Sequence, residues 1–147
     1  MIILDTDILS LYDKDSLEAI VLAKNLAEFS SSEIYTTIIT FEEQMRGWLS
    51  FIAKAKTIEQ EINAYKKLNK FLDRFRKTPV LEFDEKAAQI FQSLKASKIR
   101  VGTMDLKIAS IAIANNALLL SRNIKDFAQI PQLKVEDWTI EQARENH

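Results

Sequence analysis

The distribution of apolar and polar residues predicts short apolar strands separated by longer helices. Several stretches are apolar throughout and end in polar residues, which is typical of strands buried on both faces. Because helical segments separate these strands, the sheet should be mainly parallel and covered on both sides. The predicted strands are Met1–Leu4, Ile34–Ile39, Pro79–Phe83 and Ala117–Ser121, with Val135–Trp138 as a short fifth candidate.

The segments between the strands have the apolar spacing of helices. The clearest is Ile58–Lys77, where apolar residues recur at steps of three and four and Lys and Glu occupy the other side. With the helix before it, this segment should form a helical hairpin at about residues 41–77. We assign its apolar side to the core, with a partner or dimer surface as the alternative. The other predicted helices cover Leu17–Phe29, Glu85–Ser97 with Asp84 as its N-cap, and residues 103–115 with Asn115–Asn116 as its C-cap.

Length and composition fit one soluble α/β domain over residues 1–147. The predicted class is a three-layer α/β/α fold with a mainly parallel sheet of four or five strands. With 47% apolar and 28% charged residues, the composition is ordinary for a globular protein. The chain has no Cys, and its single His is His147. Thiolate zinc sites and disulfides are therefore excluded, and a catalytic site would rest on carboxylates, hydroxyls, amides, Lys and Arg.

Charge and hydropathy indicate a cytoplasmic protein without a membrane span. Asp5 and Asp7 interrupt the apolar start, so no signal peptide is predicted. The most apolar later run is broken by Asn115–Asn116, well short of the length that crosses a membrane. The net charge of −1 gives no general attraction to nucleic acid, so any such contact would need a local basic patch.

Acidic and amide side chains follow the predicted strands. In a parallel sheet the carboxyl ends of the strands share one edge, and ligands bind there. Carboxylates without His or Cys suit Mg²⁺ or Mn²⁺, and phosphodiester hydrolysis is the chemistry that fits such a site. The candidates at this edge are Asp5, Asp7, Glu42, Glu43, Asp84, Asp105, Asn123 and Asp126.

Several of these residues also have a structural interpretation. Thr40–Glu43 matches a capping box, in which Glu43 would bond back to the cap. Asp105 could favour the helix dipole, Asp84 could act only as an N-cap, and Asp126 could be a turn residue. Asp7 is assigned a supporting or turn role. Asp5 is the strongest metal-ligand candidate, because a carboxylate that closes an apolar strand loses solvation unless a cation or hydrogen bonds compensate it.

Four blocks of the sequence together resemble the PIN domain, and more closely the VapC-type toxins of bacterial toxin–antitoxin pairs. The similarity extends from Met1 to about Trp138. The helical hairpin is its least diagnostic part. The blocks are LDTDILS at the start, TTIITFEEQMRG near residue 40, GTMDLKIASIAIA near residue 105 and LLLSRNIKDFAQIPQLKVEDW at the end.

The resemblance implies metal ligands at Asp5, Glu43 and Asp105. Thr40 and Gly47 fix the second acid on Glu43 and not Glu42, although Gln44 replaces the usual Leu. The fourth position, often Asp in the family, is Asn123 here. Either Asn123 or Asp126 would complete the site, and the neutral Asn123 would weaken metal binding at that corner.

The activity implied by the resemblance is that of a Mg²⁺- or Mn²⁺-dependent endoribonuclease, which hydrolyses RNA by a metal-activated water. The implied partners are an RNA substrate, a cognate antitoxin and a second copy of the chain. Thr6 and Ser121 would support the metal ligands by hydrogen bonds. The residues that could contact the RNA backbone are Arg100, Lys107, Arg122 and Lys125.

Two other functions are compatible with parts of the sequence. A non-catalytic PIN module that binds RNA or a protein is the first, because Asn123 replaces a charged ligand. An Asp-nucleophile phosphatase of the haloacid-dehalogenase type is the second, because Asp5 and Asp7 form an Asp-x-Asp pair. The chain lacks the later acidic pair of those phosphatases.

Overall fold

A computed structural model describes residues 1–12 and 14–141, so His147 lies outside the described residues. The strands are β1 (Ile2–Leu4), β2 (Ile34–Thr37), β3 (Val80–Leu81), β4 (Leu118–Leu120) and β5 (Lys134–Glu136). The α-helices are α1 (Thr6–Leu11), α2 (Leu17–Leu26), α3 (Ile38–Ala53), α4 (Ile58–Lys77), α5 (Glu85–Ala96), α6 (Thr103–Ala114) and α7 (Ile124–Phe127).

All five strands are parallel and lie in the order β3-β2-β1-β4-β5. The chain builds the sheet outward from β1 to β3 and then returns to place β4 on the other side of β1. The order of connection therefore reverses between β1 and β4, which is where parallel α/β sheets bind ligands. The predicted three-layer α/β/α class is confirmed, with five strands.

The two faces of the sheet bury separate apolar cores, because side chains alternate along each strand. Ile3 and Leu119 face one core with residues of α5 and α6, while Leu4 and Leu120 face the other with residues of α1, α2 and α4. The central strands are apolar on both faces for this reason. Of the helices within residues 1–12 and 14–141, none has both the length and the apolar character needed to cross a bilayer.

Two predicted helix caps are confirmed. The Asp84 carboxylate accepts a hydrogen bond from the Ala87 N–H at 2.9 Å and caps α5. At the end of α6, Asn116 has a φ of 51°, and the N–H groups of Asn116 and Ala117 donate to the carbonyls of Ile113 and Ala112. This arrangement is a Schellman motif, in which Asn tolerates the left-handed conformation.

Several predicted bounds differ from the structure: β3 is shorter than predicted, α2 ends at Leu26 and β5 starts at Lys134. Two further differences concern the starts of helices. The strand predicted over Ile34–Ile39 ends at Thr37, because the Thr37 hydroxyl accepts from the Thr40 N–H at 3.1 Å and starts α3 there. Helix α1 is absent from the elements that the apolar pattern predicts. It starts directly after β1, where the Asp5 side chain accepts from the Ile8 N–H at 2.8 Å.

The helical pair of α3 and α4 is present, but its apolar side is only partly buried. Phe71 and Phe75 pack with Phe41 from α3 in the second core. Assignment of the whole apolar side to the core is wrong, since four of its residues are more than 40% exposed. These are Ile58, Ile62, Tyr65 and Leu72, all on α4.

Candidate functional site

An acidic cleft of about 410 Å³ opens at the carboxyl ends of β1 and β4. Four of the five predicted site residues line this cleft: Asp5, Glu43, Asp105 and Asn123. They come from positions up to 118 residues apart, so the parallel sheet and its crossover connections bring them together. The other lining residues are Thr6, Asp7, Ser10 and Phe127.

Asp5 occupies the most buried position of the acidic residues in the cleft, with 6% of its surface exposed. The carboxylate is held by the Ile8 N–H and by the hydroxyl of Ser121. Ser121 in turn accepts from the N–H of Asn123 at 2.9 Å, so its hydroxyl hydrogen is available for Asp5. Burial raises the pKa of Asp5 from 3.8 to about 6, against the lowering effect of these hydrogen bonds.

Glu43 is oriented by a chain of hydroxyl groups, of which those of Thr37 and Thr40 are fully buried. Thr6 Oγ1 donates to Glu43 Oε1 at 2.6 Å and lies 3.1 Å from Thr40 Oγ1. Thr37 donates to Thr40 at 3.4 Å. Since each hydroxyl carries one hydrogen, the donors run from Thr37 through Thr40 and Thr6 to Glu43.

This chain of hydroxyls corrects the capping-box interpretation of Thr40 and Glu43. The N-cap of α3 is Thr37, so Glu43 lies almost two turns into the helix and cannot bond back to the cap. Its neighbour Glu42 forms an ion pair with Arg46 on the same helix. Glu43, and not Glu42, is therefore the acid that α3 contributes to the cleft.

Asp105 lies in the first turn of α6 and is half-buried. Burial raises the pKa of Asp105, and the negative charges of Glu43 and Asp126 raise it further. The negative charge of Asp105 in turn raises the pKa of Asp5. The helix-dipole interpretation of Asp105 is compatible with its position, but the mutual repulsion shows that it also belongs to the acidic cluster.

The fourth corner of the cleft consists of Asn123 with Asp126 behind it. Asn123 lines the cleft, and its side-chain amide donates to Asp126 Oδ2 at 2.9 Å. Asp126 does not belong to the lining of this described cleft. The negative charge of Asp126 nevertheless raises the pKa of Asp105. Asn123 therefore contributes a neutral amide to this corner, and Asp126 contributes a negative charge.

The donors of the cleft are carboxylate, hydroxyl and amide oxygens, which are the ligands of hard divalent cations. Within residues 1–12 and 14–141, no three acidic or His side chains converge closely enough to enclose an ion as they stand. An open arrangement of this kind fits Mg²⁺, because Mg²⁺ keeps several of its waters and uses only a few protein carboxylates.

Asp7 forms an ion pair with Arg122 at the edge of the cleft. Arg122 donates from Nε to Asp7 Oδ2 at 2.7 Å and from Nη2 to Asp7 Oδ1 at 3.0 Å. Asp7 is thus engaged as an ion-pair partner. This pairing does not support the phosphatase alternative, which needs that acid free for proton transfer.

The other basic residues proposed for RNA contact differ in their surroundings. The Lys107 ammonium lies 5.8 Å and 5.7 Å from the ring centroids of Phe83 and Phe91, in cation–π contact. Arg100 and Lys125 have no such aromatic contact among the described residues.

Sequence patterns do not indicate that Ser10 and Phe127 contribute to the cleft. Ser10 lies on α1 and Phe127 lies on α7, and the apolar pattern predicts neither of these helices. A signal for α1 does exist, because Asp5 three residues before Ile8 fits an N-cap pattern. For Phe127, the 1% exposure reflects packing in the first core, which only the tertiary structure defines.

Comparison with known proteins gives consistent matches. A family model described as PIN domain matches residues 2–133. The chain is 36% identical over 91 residues to Ribonuclease VapC2 of Rickettsia felis, covering 59% of this chain and 63% of that protein, which is less than two thirds of its length. It is 26% identical over 141 residues to Ribonuclease VapC1 of Haemophilus influenzae, covering 92% and 96% of the two chains.

Among solved structures, a crystal structure of VapBC2 from Rickettsia felis bound to a DNA fragment from their promoter is similar in fold. The TM-score is 0.68 at 29% identity, with 94% of this chain and 99% of that chain covered. The resemblance inferred from the four sequence blocks is confirmed. Because the family model spans most of the 147 residues, this chain belongs to the PIN domain family.

Proposed function

We propose that the chain is a divalent-metal-dependent endoribonuclease, the toxin of a toxin–antitoxin pair. The observation that carries the proposal is the buried carboxylate of Asp5 in one cleft with Glu43 and Asp105. Three acids in a shared cleft repel one another, and a bound cation removes that repulsion. The relatives described as ribonucleases support the same activity.

In this proposal Asp5, Glu43 and Asp105 hold the metal, with Asn123 or Asp126 at the fourth corner. Dependence on a divalent metal is typical of PIN-domain ribonucleases, and the oxygen-only donor set favours Mg²⁺ or Mn²⁺. The cation supplies stabilisation of the negative charge on the reacting phosphate and makes an attacking water easier to ionise.

The chain's own residues position the groups of the site. The hydroxyl of Thr6 holds Glu43, and the Ile8 N–H with the Ser121 hydroxyl holds Asp5. Side chains fixed in this way would lose little freedom on holding a cation, so the site would be organised before the cation binds. Phe127 adds an apolar wall on one side of the cleft.

The proposed partners are an RNA substrate, an antitoxin protein and a second copy of the chain, in the cytoplasm. Solved structures with this fold include VapBC complexes of a toxin with its partner, which supports the antitoxin. The exposed apolar face of α4 supports the homodimer. That face surrounds a surface depression of about 650 Å³ lined by Ile58, Glu61, Ile62, Tyr65, Lys66, Leu68, Asn69 and Leu72.

Substitution of Asp5 tests the activity. Asp5→Asn keeps the size of the side chain and an acceptor for the Ile8 N–H, but removes the charge. We expect wild type to cleave single-stranded RNA with Mg²⁺ or Mn²⁺ and to be inactive in EDTA. Asp5→Asn should lower the cleavage rate at least about 100-fold, as expected when a metal ligand is lost.

The matched control is Asp73→Asn, an exposed acid on α4 that should leave cleavage unchanged. Equal cleavage by wild type and Asp5→Asn would exclude Asp5 as a ligand. If wild type were inert on varied RNAs with both metals while still binding RNA, the chain would be a non-catalytic PIN module.

A further inference from the structure

The Asp7–Arg122 pair joins two of the elements that build the cleft. Asp7 lies in the first turn of α1, and Arg122 follows β4 directly before Asn123. Both carboxylate oxygens of Asp7 accept a hydrogen bond from Arg122, at 2.7 Å and 3.0 Å. This two-point contact fixes the plane of the guanidinium group at the edge of the cleft.

A phosphate group can take the place of Asp7 in this contact. A phosphodiester presents two oxygen acceptors that fit the guanidinium fork in the same way as a carboxylate. The Arg122 and Asp7 side chains are 39% and 55% exposed, and exposed ion pairs contribute little to stability. Exchange of Asp7 for a phosphate therefore needs no large rearrangement of the fold.

We propose that Arg122 is an RNA-binding residue of the cleft, and that Asp7 holds its guanidinium group in the phosphate-binding orientation until an RNA phosphate displaces the Asp7 carboxylate. The inference deepens the proposed ribonuclease function and rests on it. Arg122 contacts the substrate in this scheme, while Asp7 is a positioning residue that also competes with the substrate.

The environment of Arg122 distinguishes it from other paired arginines. Arg46 and Arg76 pair with acids on their own helices, Glu42 and Asp73. The pair of Arg122 instead connects two separate elements beside the predicted metal ligands. Glu18 and Asp137 also exert a negative potential on Arg122, so acids surround the residue that would receive the phosphate. Neutralising Asp7 should therefore strengthen RNA binding.

The test measures RNA binding separately from cleavage. The full-length Asp5→Asn chain with Mg²⁺ is the parent, and the probe is a short fluorescent single-stranded RNA of mixed sequence. Adding Arg122→Gln should raise the Kd about tenfold, since a charge-assisted contact is lost. It should also reduce the slope of log K against log salt by about 0.7, the effect of one phosphate contact on a single strand.

Asp7→Asn should do the opposite. Freed of its competitor, Arg122 should bind RNA about two- to fivefold more tightly, which is the range expected for release of an exposed ion pair. In the double variant Asp7→Asn/Arg122→Gln most of the gain from Asp7→Asn should be lost, because that gain comes mainly from the release of Arg122 and only in smaller part from the charge of Asp7 in the cleft lining. Arg76 is the control, because it lies in the last turn of α4 before the edge strand β3. Arg76→Gln should change neither the Kd nor the salt slope.

Three results would overturn the inference. They are unchanged RNA binding in Arg122→Gln, weaker binding in Asp7→Asn, or no measurable binding of the RNA by the parent. Thermal unfolding of each variant separates loss of contact from loss of fold. Cleavage by wild type is assayed in parallel: if wild type does not cleave but the binding pattern holds, the proposed catalysis fails and the role of Arg122 stands.

Discussion

Asp5 carries two roles that draw on the same atoms. Its carboxylate caps α1 through the Ile8 N–H, and it is also the most buried acid of the cleft. Capping alone does not require burial, since exposed Asp residues cap helices equally well. The fold needs the cap that Asp5 provides, but it does not need a negative charge to be buried there.

The buried charge of Asp5 lowers the stability of the metal-free fold. The pKa of Asp5 is about 6 in the folded chain, against an ordinary value of 3.8 for an Asp side chain in water. A carboxyl with a raised folded pKa binds its proton more tightly when folded, so its ionisation destabilises the metal-free fold. The penalty grows as pH rises from about 3.8 to 6 and is complete above that. At about 1.4 kcal/mol for each pKa unit, it reaches about 3 kcal/mol.

Asp5→Asn should therefore stabilise the chain in EDTA. We expect the free energy of unfolding at pH 7.5 to rise by about 1–3 kcal/mol, because the amide keeps the cap and removes the buried charge. The gain should diminish as pH falls from 6 towards 3.8. Urea denaturation at several pH values measures it, and a loss of stability at pH 7.5 would contradict it. Asp73→Asn, an exposed substitution, should stay within about 0.5 kcal/mol of wild type.

At the scale of the element, a single side chain caps the start of each of the helices α1, α3 and α5, whereas α6 and α7 start without a side-chain cap. Asp5, Thr37 and Asp84 each accept a backbone N–H three residues later and cap α1, α3 and α5. The caps differ in their surroundings, because Asp5 lines the cleft and Asp84 does not. Capping therefore accounts for Asp84 completely and for Asp5 only in part.

Asp84→Ala tests that distinction. Loss of the N-cap hydrogen bond should reduce the free energy of unfolding by about 1 kcal/mol, and RNA cleavage at a temperature well below the transition should not change. Asp84→Asn, which can still cap the helix, should remain within a few tenths of a kcal/mol of wild type. Reduced cleavage in both folded variants would show that Asp84 belongs to the site.

At the scale of the whole molecule, α4 carries four of the thirteen large apolar side chains that the described residues leave exposed, and these four line one surface depression. Ile58 and Tyr65 are more than half exposed, and the helix presents them on the side away from Phe71 and Phe75. Large contiguous apolar surfaces on a folded chain are typical of sites that contact another protein. The proposed homodimer would cover this surface.

Ile62→Lys tests the dimer, because a charge in the middle of the apolar face opposes its burial. We expect wild type to sediment as a dimer at micromolar concentration and Ile62→Lys to shift the dissociation constant at least about tenfold towards the monomer. Leu17→Lys is the control, since Leu17 is an exposed apolar residue on α2. A monomeric wild type, or an equal shift in both variants, would contradict the assignment.

Local patterns are sufficient to predict much of the fold. The apolar runs of β1 and β4 and the strict periodicity of α4 are local properties, and helices between apolar strands require a parallel sheet. The bounds of α4 match the prediction to the residue, whereas the strand predicted for β2 extends past Thr37 to Ile39. That error has a physical cause: Ile38 and Ile39 suit a strand or a helix, and the hydroxyl of Thr37 decides between them.

The sequence by itself determined the α/β class, the membership of the PIN domain family and the identity of the acids at the strand ends. Only the tertiary structure decided which of them share a cleft, because that depends on the crossover of the chain from β3 back to β4. It brought Arg122 to Asp7, linked Glu43 to Thr6, and set Asp126 behind Asn123. The first two contacts join residues far apart in the sequence, which no local pattern relates. Burial in the folded chain is what raises the pKa of Asp5.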